Sequence, residues 1–264
     1  MFIQEIGHSW PDAAFFLLLT GLIVGLLLAL TGGGGSVVCV PLLLYLVRMK
    51  DTHMVIGTSA MAVAVSALVS LLSHAAKGHV RWAPGLTVSL VAMCGALSGA
   101  EAGKLVSEKY LLLPFSCLML VVALLMLRKK SGCVVARPAA GFVVRPFLVG
   151  PVVFTVGGLA GLLGIGGGFL VVPVLVWLFN FSMTEAVATS LMVVFTTGMS
   201  TSISYALAGK VSAVNTLLII AGGCLGGLLG ATVASRLKKN EMIINIMFSL
   251  ILIVTALYMF TKNI

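Results

Sequence analysis

Long apolar runs constrain this chain more than any other feature of its sequence. Eight runs contain no Asp, Glu, Lys or Arg, near residues 13–47, 54–76, 82–100, 110–127, 146–179, 186–209, 211–235 and 242–261. Most reach the roughly 20 residues that a helix needs to cross a hydrocarbon core about 30 Å thick. Only 9% of the residues are charged and the mean hydropathy is +1.20. We therefore predict an all-α polytopic membrane protein with no separate soluble domain.

An internal duplication organises these runs. At an offset of 131–132 residues the two halves match at a glycine cluster, a following proline and a Thr-Ser pair. The first half contributes Gly32, Gly34, Gly35, Pro41, Thr58 and Ser59, and the second contributes Gly164, Gly166, Gly167, Pro173, Thr189 and Ser190. Separate matches at one offset indicate two copies of one unit. We predict a first transmembrane repeat over 1–127, a basic cytoplasmic linker over 128–145 and a second repeat over 146–264.

Each copy begins with a run that the glycines interrupt. As one continuous helix, residues 13–47 would extend about 50 Å, which is too long for a single span. The part that follows the glycines, residues 36–47, would reach only about 18 Å. The imbalance favours a helical hairpin whose tip stops inside the membrane. Such a hairpin plus three full spans crosses the bilayer an odd number of times, so the second copy would be inverted.

The basic residues favour the inverted arrangement. With inversion, ten of the 16 Lys and Arg residues lie on one side and six on the other, whereas parallel copies divide them nine to seven. The positive-inside rule then places the central linker in the cytoplasm and both termini outside. The net charge of +9 indicates attraction to anionic lipid, and we expect no nucleic-acid partner.

The glycine clusters are candidate anion sites. Irregular backbone at membrane depth must be buried in protein or line a wet cavity, because unpaired peptide groups are costly in hydrocarbon. Glycine lets amide groups approach a ligand closely, and the helix that follows presents its N-terminus to negative charge. Close helix packing is the alternative explanation for glycine, and we expect it for the glycines spaced four apart. Those are Gly21, Gly25, Gly95, Gly99, Gly103, Gly222, Gly226 and Gly230.

Hydroxyl groups beside the clusters are candidate donors to a substrate oxygen. In apolar helices such groups more often bond to a carbonyl of their own helix, and that alternative stays open. The predicted substrate-binding residues are Gly32, Gly34, Gly35, Ser36, Thr58, Ser59, Gly164, Gly166, Gly167, Gly168, Thr189 and Ser190. His74 is a candidate for proton coupling, although Tyr205 takes its place in the second copy.

The paired motifs resemble the sulfite exporter TauE/SafE family. Two glycine clusters, GGGGS from Gly32 and GIGGG from Gly164, each precede a proline nine residues after the first glycine. "GTS" at 57–59 and "ATS" at 188–190 follow. The one departure is Ser36 where the second copy has Gly168. The resemblance implies a secondary carrier in a bacterial-type inner membrane that moves sulfite or a small organosulfonate by alternating access.

Other function classes are less compatible with the sequence. An anion channel of the same architecture is the main alternative, and a scaffolding protein is a weaker one. An enzyme would need a cluster of His, Cys, Asp or Glu, and the seven acidic residues are scattered. Five cysteines without a Cys-x-x-Cys spacing indicate neither disulfides nor a metal site. We expect no cofactor, a small anionic substrate, a coupling proton or sodium ion, the lipid bilayer as surroundings, and a homodimer as an open alternative.

Overall fold

A computed structural model describes residues 10–128, 146–236 and 241–263. Apart from Arg128, the predicted linker over 128–145 lies outside the described residues. The described chain contains ten α-helices: α1 Trp10–Thr31, α2 Gly34–Pro41, α3 Thr52–Ala75, α4 Trp82–Leu105, α5 Glu108–Arg128, α6 Pro146–Leu163, α7 Gly168–Phe179, α8 Met183–Leu207, α9 Ala213–Arg236 and α10 Glu241–Asn263. A π-helical stretch, Leu42–Leu46, continues α2 directly. The prediction of an all-α protein is confirmed.

Five helices of the described ranges are long and apolar enough to cross a membrane. They are Asp12–Thr31, Thr52–Ala75, Trp82–Leu105, Met183–Leu207 and Ala213–Gly230. Shorter apolar helices cover Gly34–Leu46, Val149–Leu163 and Leu252–Thr261. The two short segments that follow the glycine clusters, α2 with its π-helical continuation and α7, have 13 and 12 residues. At about 1.5 Å per residue each is too short to span a bilayer.

The helices pack in a pattern that repeats between the halves. Helix α1 packs on α9, and α4 packs on α6. The central pair, α3 and α8, pack on each other, while α3 also contacts α9 and α8 also contacts α4. Exchanging each helix with the one five places later leaves this pattern unchanged. Two related copies would produce this arrangement, and the predicted duplication is consistent with it.

The directions of the packed helices support an inverted relation. Gly57 near the start of α3 faces Tyr205 near the end of α8, and Gly198 faces Ala60 and Ala64. The two central helices therefore run antiparallel. Since α3 and α8 hold equivalent places in the two halves, their opposite directions are those that an inverted repeat requires.

Glycines bring the outer helices into backbone contact. A Cβ atom on Gly21 would meet Gly223 of α9, and one on Gly226 would meet the backbone of Leu22 and Leu26. Between α4 and α6, Gly95 faces Phe154 and the backbone of Gly158. The hypothesis that glycines at four-residue spacing serve helix packing is confirmed at these interfaces.

Both glycine-interrupted runs fold back as hairpins. Gly35 at the start of α2 lies against Val24 and Leu28 of α1, so α2 returns along α1 instead of continuing it. In the second half, Gly167 lies against Ala160 of α6. Because α2 and α7 are short, neither returning arm is long enough to cross a bilayer by itself.

Replacing Gly226 by alanine tests the packing of α1 on α9. The added Cβ would lie 2.9 Å from the backbone N of Leu26, so the helices must separate, and we expect a loss of about 1–3 kcal/mol in unfolding free energy. Gly150→Ala is the control, because its Cβ would have no neighbour within 4 Å. Thermal unfolding in detergent compares the two variants. Equal stability of Gly226→Ala and the native protein would contradict the packing explanation.

Candidate functional site

Two glycine tips form the centre of the site, one at the turn of each hairpin. In the first tip, Gly32 and Gly33 adopt φ angles of +72° and +151°. In the second, Gly164, Gly166 and Gly167 adopt φ angles of +67°, +70° and +66°. These conformations strain residues that carry a Cβ atom. The backbone conformation of the two tips therefore requires glycine at these positions, whether or not the glycines also bind substrate.

Both tips lie beside the inner turns of the central helices. The hydroxyl of Ser190, two turns into α8, donates a hydrogen bond to the carbonyl of Gly32. The hydroxyl of Thr197, two turns further on, donates one to the carbonyl of Gly166 at 2.7 Å. Ser190 and Thr197 occupy the middle of the 25-residue helix α8. Within the candidate span the tips are thus placed well away from either end.

The two tips contact each other. A Cβ atom on Gly168 would lie 3.0 Å from the carbonyl oxygen of Gly32 and 3.1 Å from the Cα atom of Gly33. The two tips therefore meet inside the helical core. At this contact they pack directly together instead of facing across an open space. All eight described tip positions, 32–35 and 164–167, are buried, as is Gly168.

Several amide groups at the tips have no acceptor among the described residues. The amide of Gly34 donates to the hydroxyl of Thr31 at 3.0 Å, and that of Ser36 donates to the carbonyl of Gly33 at 3.2 Å. In the described chain no acceptor is found for the amides of Gly35, Gly167 and Gly168. The first residues of a helix have no intrahelical acceptor, so these donors belong to the positive ends of α2 and α7, which are buried here.

The difference between the tips at Ser36 and Gly168 has a steric cause. Ser36 is fully buried and its hydroxyl donates to the carbonyl of Gly33. At Gly168 a Cβ atom would overlap the Cγ2 atom of Val194. A serine therefore fits the first tip and not the second, and its hydroxyl is already bonded to the backbone in this conformation.

The predicted threonine pair joins the two halves. Thr58 accepts a hydrogen bond from the amide of Ser212 at 3.2 Å, and Thr189 accepts one from the amide of Arg81 at 3.2 Å. These amides belong to the loops before α9 and α4. The two bonds occupy equivalent places in the halves, and both threonines are fully buried. Their oxygens hold the connecting loops; a bond from either hydroxyl to substrate stays a prediction.

The predicted serine pair bonds mainly to its own helices. Ser59 donates to the carbonyl of Ile56 at 2.9 Å, and Ser190 donates to that of Val187 at 2.8 Å as well as to Gly32. The alternative of bonding within the helix therefore holds for both serines, at a spacing of three residues. Ser190 also bonds to the carbonyl of Gly32, so it contacts the first tip directly, whereas no such contact is found for Ser59 among the described residues.

Thr197 is a site residue that the sequence analysis missed. Its hydroxyl lies 2.7 Å from the carbonyl oxygen of Gly166 and 2.7 Å from that of Val193 in its own helix, and the residue is buried. Thr197 lies eight residues after Thr189, and residues eight apart share one face of a helix. This spacing was present in the sequence and could have identified it.

His74 lies beside the arm of the first hairpin. Its Nε2 atom is 3.4 Å from the carbonyl oxygen of Ala29, three residues before Gly32, and its ring is 6.3 Å from that of His79. Its Nδ1 atom is buried and has no partner in the described chain. Tyr205, in the equivalent place of the second half, is fully buried and its ring stacks on His53 at 6.2 Å. The proton-coupling role of His74 stays a prediction.

Charged residues lie at the ends of the central helices. Arg81 pairs with Glu185 at 2.6 Å and Lys210 pairs with Asp51 at 2.7 Å. Burial alone would raise the pKa of Asp51, but hydrogen bonds from Lys210 and from the amide of Met54 outweigh it and hold this pKa below its usual value. Asp51 is therefore ionised at neutral pH. Within the described part of the chain, no three His, Cys, Asp or Glu side chains are placed to hold a metal ion.

Glu185 has the capping role that its place at a helix start indicates. It forms a capping box with Ser182, which is the N-cap of α8. Glu101 and Lys104 lie 2.7 Å apart within α4, and Glu101 also accepts a hydrogen bond from the hydroxyl of Ser204 at 2.8 Å. Both acidic residues therefore have structural partners.

The long apolar helices and the buried tips define a multi-pass helical membrane protein whose interrupted helices meet in its core, a feature that membrane transporters share. The sequence profile of the family "Sulfite exporter TauE/SafE" matches residues 17–259. The chain belongs to this family and is a membrane transporter.

Named relatives agree with this assignment. A "Probable membrane transporter protein" of Xylella fastidiosa is 38% identical over 92% of this chain and 94% of its own length. The "Probable membrane transporter protein YunE" of Bacillus subtilis is 30% identical over 90% and 94%. A relative of the same description from Methanocaldococcus jannaschii is 26% identical over 92% and 94%. No solved structure matches the chain.

Replacing Thr197 by valine tests the bond that holds the second tip. Valine keeps the shape of threonine but leaves the carbonyl of Gly166 without its donor, so we expect unfolding free energy to fall by about 0.5–1.5 kcal/mol. Thr196→Val is the matched control, since its hydroxyl bonds only to Val193 of its own helix. Thermal unfolding in detergent measures both. A smaller loss for Thr197→Val than for Thr196→Val would contradict the assignment.

Proposed function

We propose that this protein is a secondary transporter that moves a small sulfur-containing oxyanion, sulfite or an organosulfonate, across the cytoplasmic membrane by alternating access. One observation carries the proposal. The amides of Gly35, Gly167 and Gly168 have no acceptor among the described residues, although these glycines are buried at the meeting of two helix starts. We infer that the oxygens of an anion accept these hydrogen bonds during transport.

The energetics favour an anionic ligand. A buried amide without an acceptor costs about 1–3 kcal/mol, and a bond to a charged acceptor recovers that cost. The starts of α2 and α7 add the positive ends of two helix dipoles. The predicted site contains no Lys or Arg. Binding by amides alone is weak enough for release, which a carrier needs as much as binding.

The buried site favours a carrier over a channel. A channel in its conducting state joins its selective region to water on both sides. Here the tip glycines and the hydroxyl residues Ser36, Thr58, Ser59, Thr189 and Ser190 are all buried. A carrier passes through such an occluded arrangement between its two open states. We propose that the hairpin tips separate as each side opens and so admit the substrate between them.

The choice of a sulfur oxyanion draws on the family. Its profile carries the words "Sulfite exporter", and the relatives are described only as probable membrane transporters. Xylella fastidiosa and Bacillus subtilis are bacteria, which supports a bacterial inner membrane as the location. We propose His74 as the carrier of a coupling proton because it is buried beside the first hairpin. Coupling to a sodium ion is the alternative to coupling to a proton, and transport measured in reconstituted vesicles distinguishes the two. A homodimer stays an open alternative to a monomer.

Uptake into proteoliposomes tests the proposed function. We expect saturable sulfite or sulfoacetate flux that unlabelled substrate on the opposite side accelerates. Gly34→Val and Gly166→Val should lower this flux roughly tenfold or more, since the added bulk prevents bonding to the amides. Gly150→Val is the matched control, because its side chain meets open space.

Three results would contradict parts of this proposal. Normal uptake by both tip variants would refute the amide site. Stronger binding of carboxylates than of sulfonates, measured by thermal shift of the purified protein, would refute the substrate class. Flux without saturation or acceleration from the opposite side would favour a channel. Size-exclusion chromatography checks that each variant is folded before flux is compared.

A further inference from the structure

Two ion pairs join the halves of the protein at opposite ends of the central helices. At one end Arg81, in the loop before α4, pairs with Glu185 in the first turn of α8. At the other end Lys210, in the loop before α9, pairs with Asp51, the N-cap of α3. Because α3 and α8 run antiparallel, these pairs lie at opposite ends of the α3–α8 pair. Each pair connects a residue of the first half with one of the second.

The ion pairs occupy equivalent ends but not equivalent positions. At the offset of 131 residues, Glu185 corresponds to Met54 and Asp51 corresponds to Ser182. Arg81 and Lys210 likewise correspond to uncharged residues or histidine, namely Ser212 and His79. Duplication of one ancestral pair does not account for this arrangement. Each end of the α3–α8 pair therefore has an ion pair, but the residues that form one pair are not the repeat equivalents of those that form the other.

A short series of contacts connects each ion pair to one of the tips. The amide of Arg81 bonds to Thr189, and the next residue, Ser190, bonds to the carbonyl of Gly32 in the first tip. At the other end, a Cβ atom on Gly57 would meet the carbonyl of Lys210, and Gly57 follows Ile56, which contacts Gly164 of the second tip. The candidate substrate site therefore lies between the two ion pairs.

We infer that the two ion pairs are the alternating gates of this transporter. Both are formed in the present structure, in which the tips are buried; opening to one side breaks the pair at that end and leaves the other intact. This inference rests on the alternating-access carrier proposed above. The freed Arg81 or Lys210 then presents a cation to an anion that arrives from that side.

The exposure of the charged groups suits such gates. The side chains of Arg81 and Glu185 are 60% and 25% exposed, and those of Lys210 and Asp51 are 41% and 26% exposed. Pairs that water reaches contribute little to stability, so they can form and break during a transport cycle. A fully buried pair would be too costly to separate at each turnover.

Glu101 and Lys104 provide a matched comparison. They form an ion pair of 2.7 Å within α4, and Glu101 also accepts a hydrogen bond from the hydroxyl of Ser204 in α8 at 2.8 Å. In Glu101→Gln the amide oxygen can still accept the bond from Ser204, so the change removes the charge interaction and keeps this contact with α8. The variants are therefore Glu185→Gln, Asp51→Asn and the control Glu101→Gln.

Labelling of a buried cysteine tests the gates without reference to substrate. The reporter is Ser36→Cys in a protein whose five native cysteines are replaced by serine or alanine. A membrane-impermeant maleimide is applied to vesicles of either orientation. We expect Glu185→Gln to raise the labelling rate roughly two- to fivefold from the Arg81 side only, and Asp51→Asn to do so from the Lys210 side only. Glu101→Gln should label at the unmodified rate from both sides.

Exchange of the charges checks that pairing is the cause. Arg81→Glu combined with Glu185→Arg should restore slow labelling, whereas each single change should accelerate it. Unchanged labelling in Glu185→Gln and Asp51→Asn, or equal increases from both sides, would overturn the inference.

Sulfite flux separates this inference from the proposed substrate. One-sided labelling, together with no sulfite transport by the protein that keeps Ser36, would support the gates and refute the substrate class. If the protein transports sulfite but the labelling rate is unchanged in Glu185→Gln and Asp51→Asn, the gates are refuted and the proposed function is not.

Discussion

The need to satisfy backbone polar groups inside a membrane governs this structure. Four consecutive glycines at 32–35 interrupt a helix, and the freed peptide groups cannot face lipid. The protein places them against α8 and against the second tip, where Ser190 and Thr197 donate to tip carbonyls. The amides that keep no acceptor are collected in the same place. The interrupted helices thus bring unpaired peptide donors together at one buried place in the core.

Close approach of the outer helices makes this enclosure possible. Gly226 brings α9 onto the backbone of α1, and Gly95 brings α4 onto α6. Each hairpin is consequently held by a helix of the opposite half. The central helices α3 and α8 contribute the hydroxyl groups and also carry an ion pair at each end. A change in the packing of α3 against α8 would therefore alter the tips and the ends together, which gives the proposed gates a mechanical connection to the site.

Much of the site location followed from local sequence, whereas its bonding did not. Glycine clusters inside apolar runs predicted irregular backbone because few other residues adopt positive φ angles. Thr58 and Thr189 were predicted to bind substrate from their place in the motifs, and their oxygens accept amides from loops more than 100 residues away in sequence. Spacing within one helix contains no information about such partners. For Thr197 the sequence showed which face of α8 it shares with Thr189. Only the tertiary structure shows that the carbonyl of Gly166 lies next to it.

The sequence by itself determined the membrane class, the hairpins and the family, since hydrophobic length, glycine conformation and motif order are properties of the chain. Tertiary structure decided that the tips touch, that α3 and α8 run side by side in opposite directions, and that Arg81 finds Glu185 while Lys210 finds Asp51. These results depend on how two distant halves pack. Contact between halves is set by the shapes of several helix surfaces at once, and no local segment encodes it alone.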